Sequence, residues 1–169
     1  MAERLVVGIG NPDRGDDAVG RLVAHTLRVR APVDVRVVEQ GGEATALLAE
    51  LQSVQQAWLI DAAQSGASPG TIHRIDCSVA APAIPPGTVS SHGFSLAEAL
   101  GMARALNVLP PRCIVYAIEA ADFTFGAAPA RAVTRAAQDV VERILAEIAI
   151  PPRPSCHHRP HRAPVTDRQ

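Results

Sequence analysis

Short runs rich in β-branched residues alternate with longer Ala- and Leu-rich segments along the first 150 residues of the chain. A period near two in the short runs is typical of strands, and a period of 3.6 in the longer ones is typical of helices. Strands are therefore predicted at 4–9, 34–39, 57–60, 71–76 and 113–118, and helices at 17–30, 43–54, 96–106 and 130–148. Such alternation predicts an α/β fold with a mostly parallel five-stranded sheet and helices on both faces, a single-domain three-layer sandwich.

One connection breaks the alternation. Only about ten residues, including Gly66, Pro69 and Gly70, separate the third and fourth predicted strands, too few for a parallel crossover through a helix. The fourth strand is therefore expected to be antiparallel, at an edge of the sheet. Ser95 and Glu98 form a capping box that fixes the start of the third helix.

Composition sets the domain limits. A single α/β domain is expected over residues 1–150, and the Pro-, Arg- and His-rich residues 151–169 are expected to form a disordered tail.

The 16 basic residues are all Arg, which excludes a phosphate-loop lysine and a Schiff-base lysine. Cys77 and Cys113 have no CxxC partner and are expected to be small buried hydrophobes.

The net charge and the length of the apolar runs indicate which kinds of partner and which cellular compartment to expect. Net charge is −1, and residues 1–150 carry more acids than arginines, so no nucleic-acid partner is expected. The first apolar run stops at glycine after a few residues, too short for a signal-peptide core or a membrane span. We therefore expect a cytoplasmic protein with no membrane partner.

The first strand leads into a glycine turn, Gly8-x-Gly10, and then into a helix. Dinucleotide-binding loops have the same order of strand, glycine turn and helix. Asp13 occupies the position of the third glycine, and Asp16 and Asp17 add negative charge where a phosphate would bind. No nucleotide cofactor is therefore expected. Capping of the helix needs one carboxylate of the adjacent pair, which leaves the other available for a site.

Three side chains of metal-binding type are predicted at one edge of the sheet. Asp17 follows the first strand, Asp61 ends the third strand, and His92 precedes the third helix. Two carboxylates and an imidazole suit a divalent ion such as nickel or zinc. Taken singly, each residue could instead be a cap or a surface turn residue. A nucleophilic triad is disfavoured because no serine lies on a G-x-S-x-G elbow.

In these residues the chain resembles the hydrogenase maturation endopeptidases, which trim the C-terminus of the nickel-bearing large subunit of [NiFe] hydrogenases. The resemblance covers most of residues 4–148: Gly8-Ile9-Gly10-Asn11 followed by Asp16-Asp17-x-x-Gly20, then Asp61 in LIDA, then His92 in SHGFSL. It implies that Asp17, Asp61 and His92 are both the metal ligands and the catalytic residues. It also implies a mostly parallel five-stranded sheet.

The resemblance implies further properties of the site. Nickel is carried by the substrate precursor, the [NiFe] hydrogenase large subunit, so the enzyme needs no permanent metal. Gly41 and Gly42 match a glycine loop used for substrate recognition, although Glu43 stands where a small residue or Thr is usual. The ion is expected to polarise the scissile carbonyl or a water, with a carboxylate assisting proton transfer. We expect a monomer.

Two other functions fit the same residues. One is a non-catalytic, nickel-dependent maturation chaperone that binds the large subunit without cutting it. The other is a hydrolase with its own zinc. The tail segment Cys156-His157-His158, with His161, could also bind a transition metal, although chance histidines in a disordered tail explain it as well.

Overall fold

The computed structural model describes residues 4–79 and 96–150. Its strands are β1 (Arg4–Ile9), β2 (Val35–Gln40), β3 (Gln56–Ala63), β4 (Ile72–Asp76) and β5 (Arg112–Glu119). Its helices are α1 (Val19–Arg30), α2 (Ala44–Leu51), α3 (Leu96–Ala105) and α4 (Arg131–Ala149), and a short 3-10 turn at Gly15–Ala18 leads into α1. Every predicted element is present.

The sheet has the strand order β2-β1-β3-β5-β4. β1 is parallel to both β2 and β3, and β3 is parallel to β5. β4 is antiparallel to β5 and lies at the edge, as the short connection after β3 predicts. The chain moves from β1 outward to β2 and then returns past β1 to β3, so the strand order reverses at the carboxyl ends of β1 and β3.

Alternation along the strands builds a core on each face. On one face, Val6, Trp58 and Tyr116 pack beneath α1 and α4. On the other face, Val7 and Leu59 pack beneath α2 and α3. The central strands β1, β3 and β5 are almost wholly buried, as expected for parallel strands covered by helices on both sides. The predicted three-layer α/β sandwich is confirmed.

Cys77 and Cys113 are buried and not bonded as a disulfide, which confirms their prediction as small hydrophobes. No helix in residues 4–79 and 96–150 is long and apolar enough to span a membrane. His92, Ser95 of the predicted capping box and the tail 151–169 lie outside the described residues.

Candidate active site

The carboxyl ends of β1 and β3 meet the first turn of α1, and glycines allow this close approach. A Cβ at Gly20 would lie 2.2 Å from the carbonyl oxygen of Ile9 and 2.5 Å from that of Ile60. A Cβ at Gly8 would lie 2.2 Å from the carbonyl oxygen of Gly20. These distances exclude any side chain, so the two glycines fix the start of α1 against the edge where the strand order reverses.

Asp17 is held at this edge by the turn that follows β1. Gly10 has a φ of 137°, and a Cβ there would lie 1.9 Å from the carbonyl oxygen of Asp17. The next residue, Asn11, donates its backbone N–H to Asp17 Oδ2 at 3.0 Å. Asp17 is only 1% exposed. The glycine turn therefore positions a buried carboxylate beside the end of β1.

Asp61 lies within β3, which continues two residues beyond it, to Ala63. The pairing of β1 with β3 stops at Gly8 and Ile60, so Asp61 is the first β3 residue past the paired part of β1. It is 3% exposed, and its Oδ1 accepts the backbone N–H of Ala62 at 2.8 Å. The prediction that Asp61 ends the strand is therefore wrong by two residues, but its place at the carboxyl edge is confirmed.

Burial, together with the nearby negative charge of Asp17, raises the pKa of Asp61 to about 8, against the effect of the Ala62 N–H, which favours the ionised form. Asp17 is thus near enough to contribute to the raised pKa of Asp61, although burial is the larger cause. No arginine among the described residues forms an ion pair with Asp61. Because His92 lies outside the described residues, its distance from the pair is not defined. Within residues 4–79 and 96–150, no three His, Cys, Asp or Glu side chains form a metal-binding group.

Asp16 has a different role from its neighbour. Its carboxylate is fully buried and accepts three backbone N–H groups, from Ala121 at 2.9 Å, Asp122 at 3.0 Å and Ala130 at 2.6 Å. Neither acid caps α1 through its side chain, so the expected capping role is wrong. Asp16 instead holds the loop between β5 and α4, more than a hundred residues away in sequence. No local pattern in the sequence signals this contact.

The glycine pair Gly41 and Gly42 follows β2 on the other side of β1. The backbone N–H of Gly10 donates to the carbonyl oxygen of Gln40 at 3.1 Å, which ties this loop to the turn that holds Asp17. Glu39, at the end of β2, forms ion pairs with Arg21 and Arg28. The predicted recognition loop is therefore adjacent to the candidate site.

Gln40, at the end of β2, has a buried side-chain oxygen without a partner in the described residues, which the sequence does not predict. Its side-chain Oε1 is buried and accepts no hydrogen bond from the described part of the chain. An unpartnered buried amide oxygen is rare because its desolvation is costly. Its only sequence signal is a polar residue at the end of a strand, and such residues are common.

A model of the hydrogenase maturation protease family matches residues 21–147. The chain belongs to this family. The matched region includes Asp61 and position 92 and begins after Asp17, so the assignment of Asp17 rests on the Asp16-Asp17-x-x-Gly20 motif and on the geometry described above. The protein is accordingly a hydrolase that acts on peptide bonds, and proteases of this family act on hydrogenase large-subunit precursors.

Solved structures of the family share the fold of this protease. The Escherichia coli hydrogenase maturating endopeptidase HybD is 20% identical with a TM-score of 0.70, covering 85% of this chain and 90% of its own. The [NiFe] hydrogenase maturation protease HycI from Thermococcus kodakarensis KOD1 is 24% identical with a TM-score of 0.64, covering 86% and 92%. HybD from Thermococcus kodakarensis is 18% identical with a TM-score of 0.67, covering 85% and 97%. No curated protein matches the chain.

The described residues contain two histidines, His25 and His73, and neither is among the predicted site residues. His25 is exposed on α1 and lines a surface groove of about 500 Å³ between α1 and α4, which neither candidate aspartate lines. His73 lies in β4, 3.4 Å from Glu119. Burial opposes ionisation of Glu119, yet hydrogen bonds from Ser65 and Gly66 lower its pKa. Glu119 thus joins the loop after β3 to β5.

Proposed function

We propose that the protease removes the C-terminal extension of a [NiFe] hydrogenase large-subunit precursor after nickel insertion, and that the nickel carried by the precursor is its recognition element. Asp17, Asp61 and His92 are proposed to engage that ion and the scissile bond. The observation that supports this best is the presence of two buried carboxylates, Asp17 and Asp61, at the edge where the strand order reverses.

The electrostatics of this pair favour a cation from outside the chain. Burying a carboxylate charge is costly, and burial accordingly raises the pKa of Asp61. Asp61 forms no ion pair with an arginine of the described residues, so a divalent ion brought by the precursor would favour its ionised form. Carboxylate oxygens and imidazole nitrogen are suitable ligands for nickel.

The residues of the chain also suit proton transfer. A pKa of about 8 for Asp61 means that its carboxyl group exchanges a proton close to neutral pH. General acids and bases work best when their pKa lies near the working pH. Asp17 is fixed by the Asn11 N–H at 3.0 Å and is proposed to orient the substrate group that it contacts.

The surroundings of the site complete the proposal. Gly41 and Gly42, tied to Gly10 through Gln40, are proposed to bind the precursor chain beside Asp17. Glycines there allow a substrate backbone to approach closely. We further propose that the protease is a cytoplasmic monomer, and that residues 1–150 suffice for cleavage without the tail 151–169.

The test is cleavage of a purified nickel-loaded precursor, followed by the mass of its C-terminus. Asp17→Asn and His92→Ala are expected to slow cleavage by about 100-fold or more, because each removes a ligand or a proton-transfer group. Asp139→Asn and His25→Ala are the matched controls, since both residues are exposed on outer helix surfaces. Cleavage by Asp17→Asn and His92→Ala at the wild-type rate would contradict the assignment.

The same assay separates the other functions. A precursor that binds without losing mass would identify a chaperone. Stoichiometric zinc in freshly purified protease, with cleavage of nickel-free precursor, would identify a zinc hydrolase. The proposal expects no tightly held metal and no cleavage of nickel-free precursor.

A further inference from the structure

Phe125 stands apart from the other aromatic residues of the described chain. Trp58 and Tyr116 are fully buried and Phe123 is partly buried against the core, whereas Phe125 is 74% exposed at the tip of the loop between β5 and α4. Single exposed apolar residues are common on protein surfaces, so exposure alone assigns no role. Phe125 is unusual because its loop is held by hydrogen bonds at both ends and is joined to the turn before Asp17.

The loop is fastened at both ends by a single buried group. The Asp16 carboxylate accepts the N–H groups of Ala121 and Asp122 at the start of the loop and that of Ala130 at its end. The backbone N–H of Asp16 in turn donates to the carbonyl oxygen of Asp122 at 2.7 Å. Hydrogen bonds to a charged acceptor are stronger than neutral ones, so the loop is pre-ordered.

The tip of the loop is also joined to the turn that leads to Asp17. Phe125 and Arg14 form an antiparallel backbone bridge, and the N–H of Gly126 donates to the carbonyl oxygen of Asp13 at 2.7 Å. Arg14 precedes Asp17 by three residues. The backbone that carries the aromatic ring is therefore joined to the same short segment that positions the candidate catalytic carboxylate.

We propose that Phe125 is an apolar anchor with which the protease docks its protein substrate, the large-subunit precursor, beside Asp17. This inference rests on the proposed function. An aromatic side chain on a pre-ordered loop loses little conformational entropy on binding, and such residues dominate the energy of many interfaces. Gly41 and Gly42 lie on the β2 side of Asp17 and Phe125 on its β5 side. The precursor chain would cross the carboxyl edge between them.

The experiment compares steady-state cleavage of nickel-loaded precursor by the wild type and by Phe125→Ala. The expected result is a KM raised about tenfold or more with kcat changed less than about twofold, because the anchor acts in binding and not in chemistry. Phe125→Leu should recover most of the loss. Val33→Ala is the matched control, since Val33 is fully exposed between α1 and β2. The midpoint of unfolding should stay unchanged in all three variants.

The possible outcomes separate this inference from the proposed function. If the wild type cleaves the precursor and Phe125→Ala keeps the wild-type KM, the docking role is wrong and the proposed function stands. If the wild type binds the precursor without removing mass, cleavage is wrong, and weaker binding by Phe125→Ala would still support the anchor. If the wild type neither binds nor cleaves a nickel-loaded precursor, both are wrong.

Discussion

Asp16→Ala should destabilise the protease strongly, because Asp16 holds both ends of the loop between β5 and α4. The substitution leaves three backbone N–H groups without their acceptor, at Ala121, Asp122 and Ala130, in bonds that are partly buried. A buried donor left unpaired costs about 1–3 kcal/mol. With some relaxation of the loop and entry of water, the expected loss is about 3–5 kcal/mol. For a domain of this size, that loss lowers the midpoint of thermal unfolding by about 6–20 °C.

The assay is urea and thermal unfolding followed by circular dichroism, with two comparison variants. Asp13→Asn changes an exposed carboxylate in the same turn and should stay within about 0.5 kcal/mol of the wild type. Asp17→Asn should abolish cleavage with a smaller loss of stability than Asp16→Ala. If Asp16→Ala lowers the free energy of unfolding by less than about 1 kcal/mol, Asp16 does not hold this loop in place.

Other substitutions test the packing and the charges. Gly20→Ala should destabilise by about 3 kcal/mol or more and reduce cleavage, because its Cβ would overlap the Ile9 and Ile60 carbonyls. Gly101→Ala, on the exposed face of α3, should be neutral or stabilising by up to about 1 kcal/mol, and urea unfolding measures both variants. Burial opposes ionisation of Glu147, yet hydrogen bonds from partners such as Arg74 lower its pKa to about 2 from 4.5. Its stabilising contribution, about 1–2 kcal/mol after solvent screening, should therefore be complete above pH 4.5 and lost as the pH falls toward 2. Unfolding of Glu147→Gln and the wild type across this range should converge at low pH; a constant difference would contradict the reasoning.

Most of the fold follows from local patterns in the sequence. The alternation of short β-branched runs with longer helical segments predicts all nine elements in order. The short connection after β3 predicts the antiparallel edge strand, because ten residues cannot cross over a parallel sheet. Element ends are less predictable: β3 runs to Ala63 because its partner β5 continues to Glu119, a contact that local sequence does not encode.

The candidate site was predictable only in part. Asp17 and Asp61 lie at the same edge because the carboxyl ends of neighbouring parallel strands share it, which the strand order alone implies. The sequence does not predict that Asp16 holds the loop between β5 and α4 while Asp17 lies at the candidate site. The hydrogen-bond partners of Asp16 are 105 to 114 residues away in the sequence. Phe125 carries no sequence signal because its importance depends on the bridge to Arg14.

The central claim is that Asp61 and Asp17 act together on a precursor that carries nickel. The most direct measurement is the rate at which nickel-loaded precursor loses its C-terminal mass with the wild type and with Asp61→Asn. The account predicts cleavage by the wild type and a rate at least about 100-fold lower for the variant, which keeps the size of the side chain but cannot ionise or exchange a proton. Equal rates for the two proteins would contradict it.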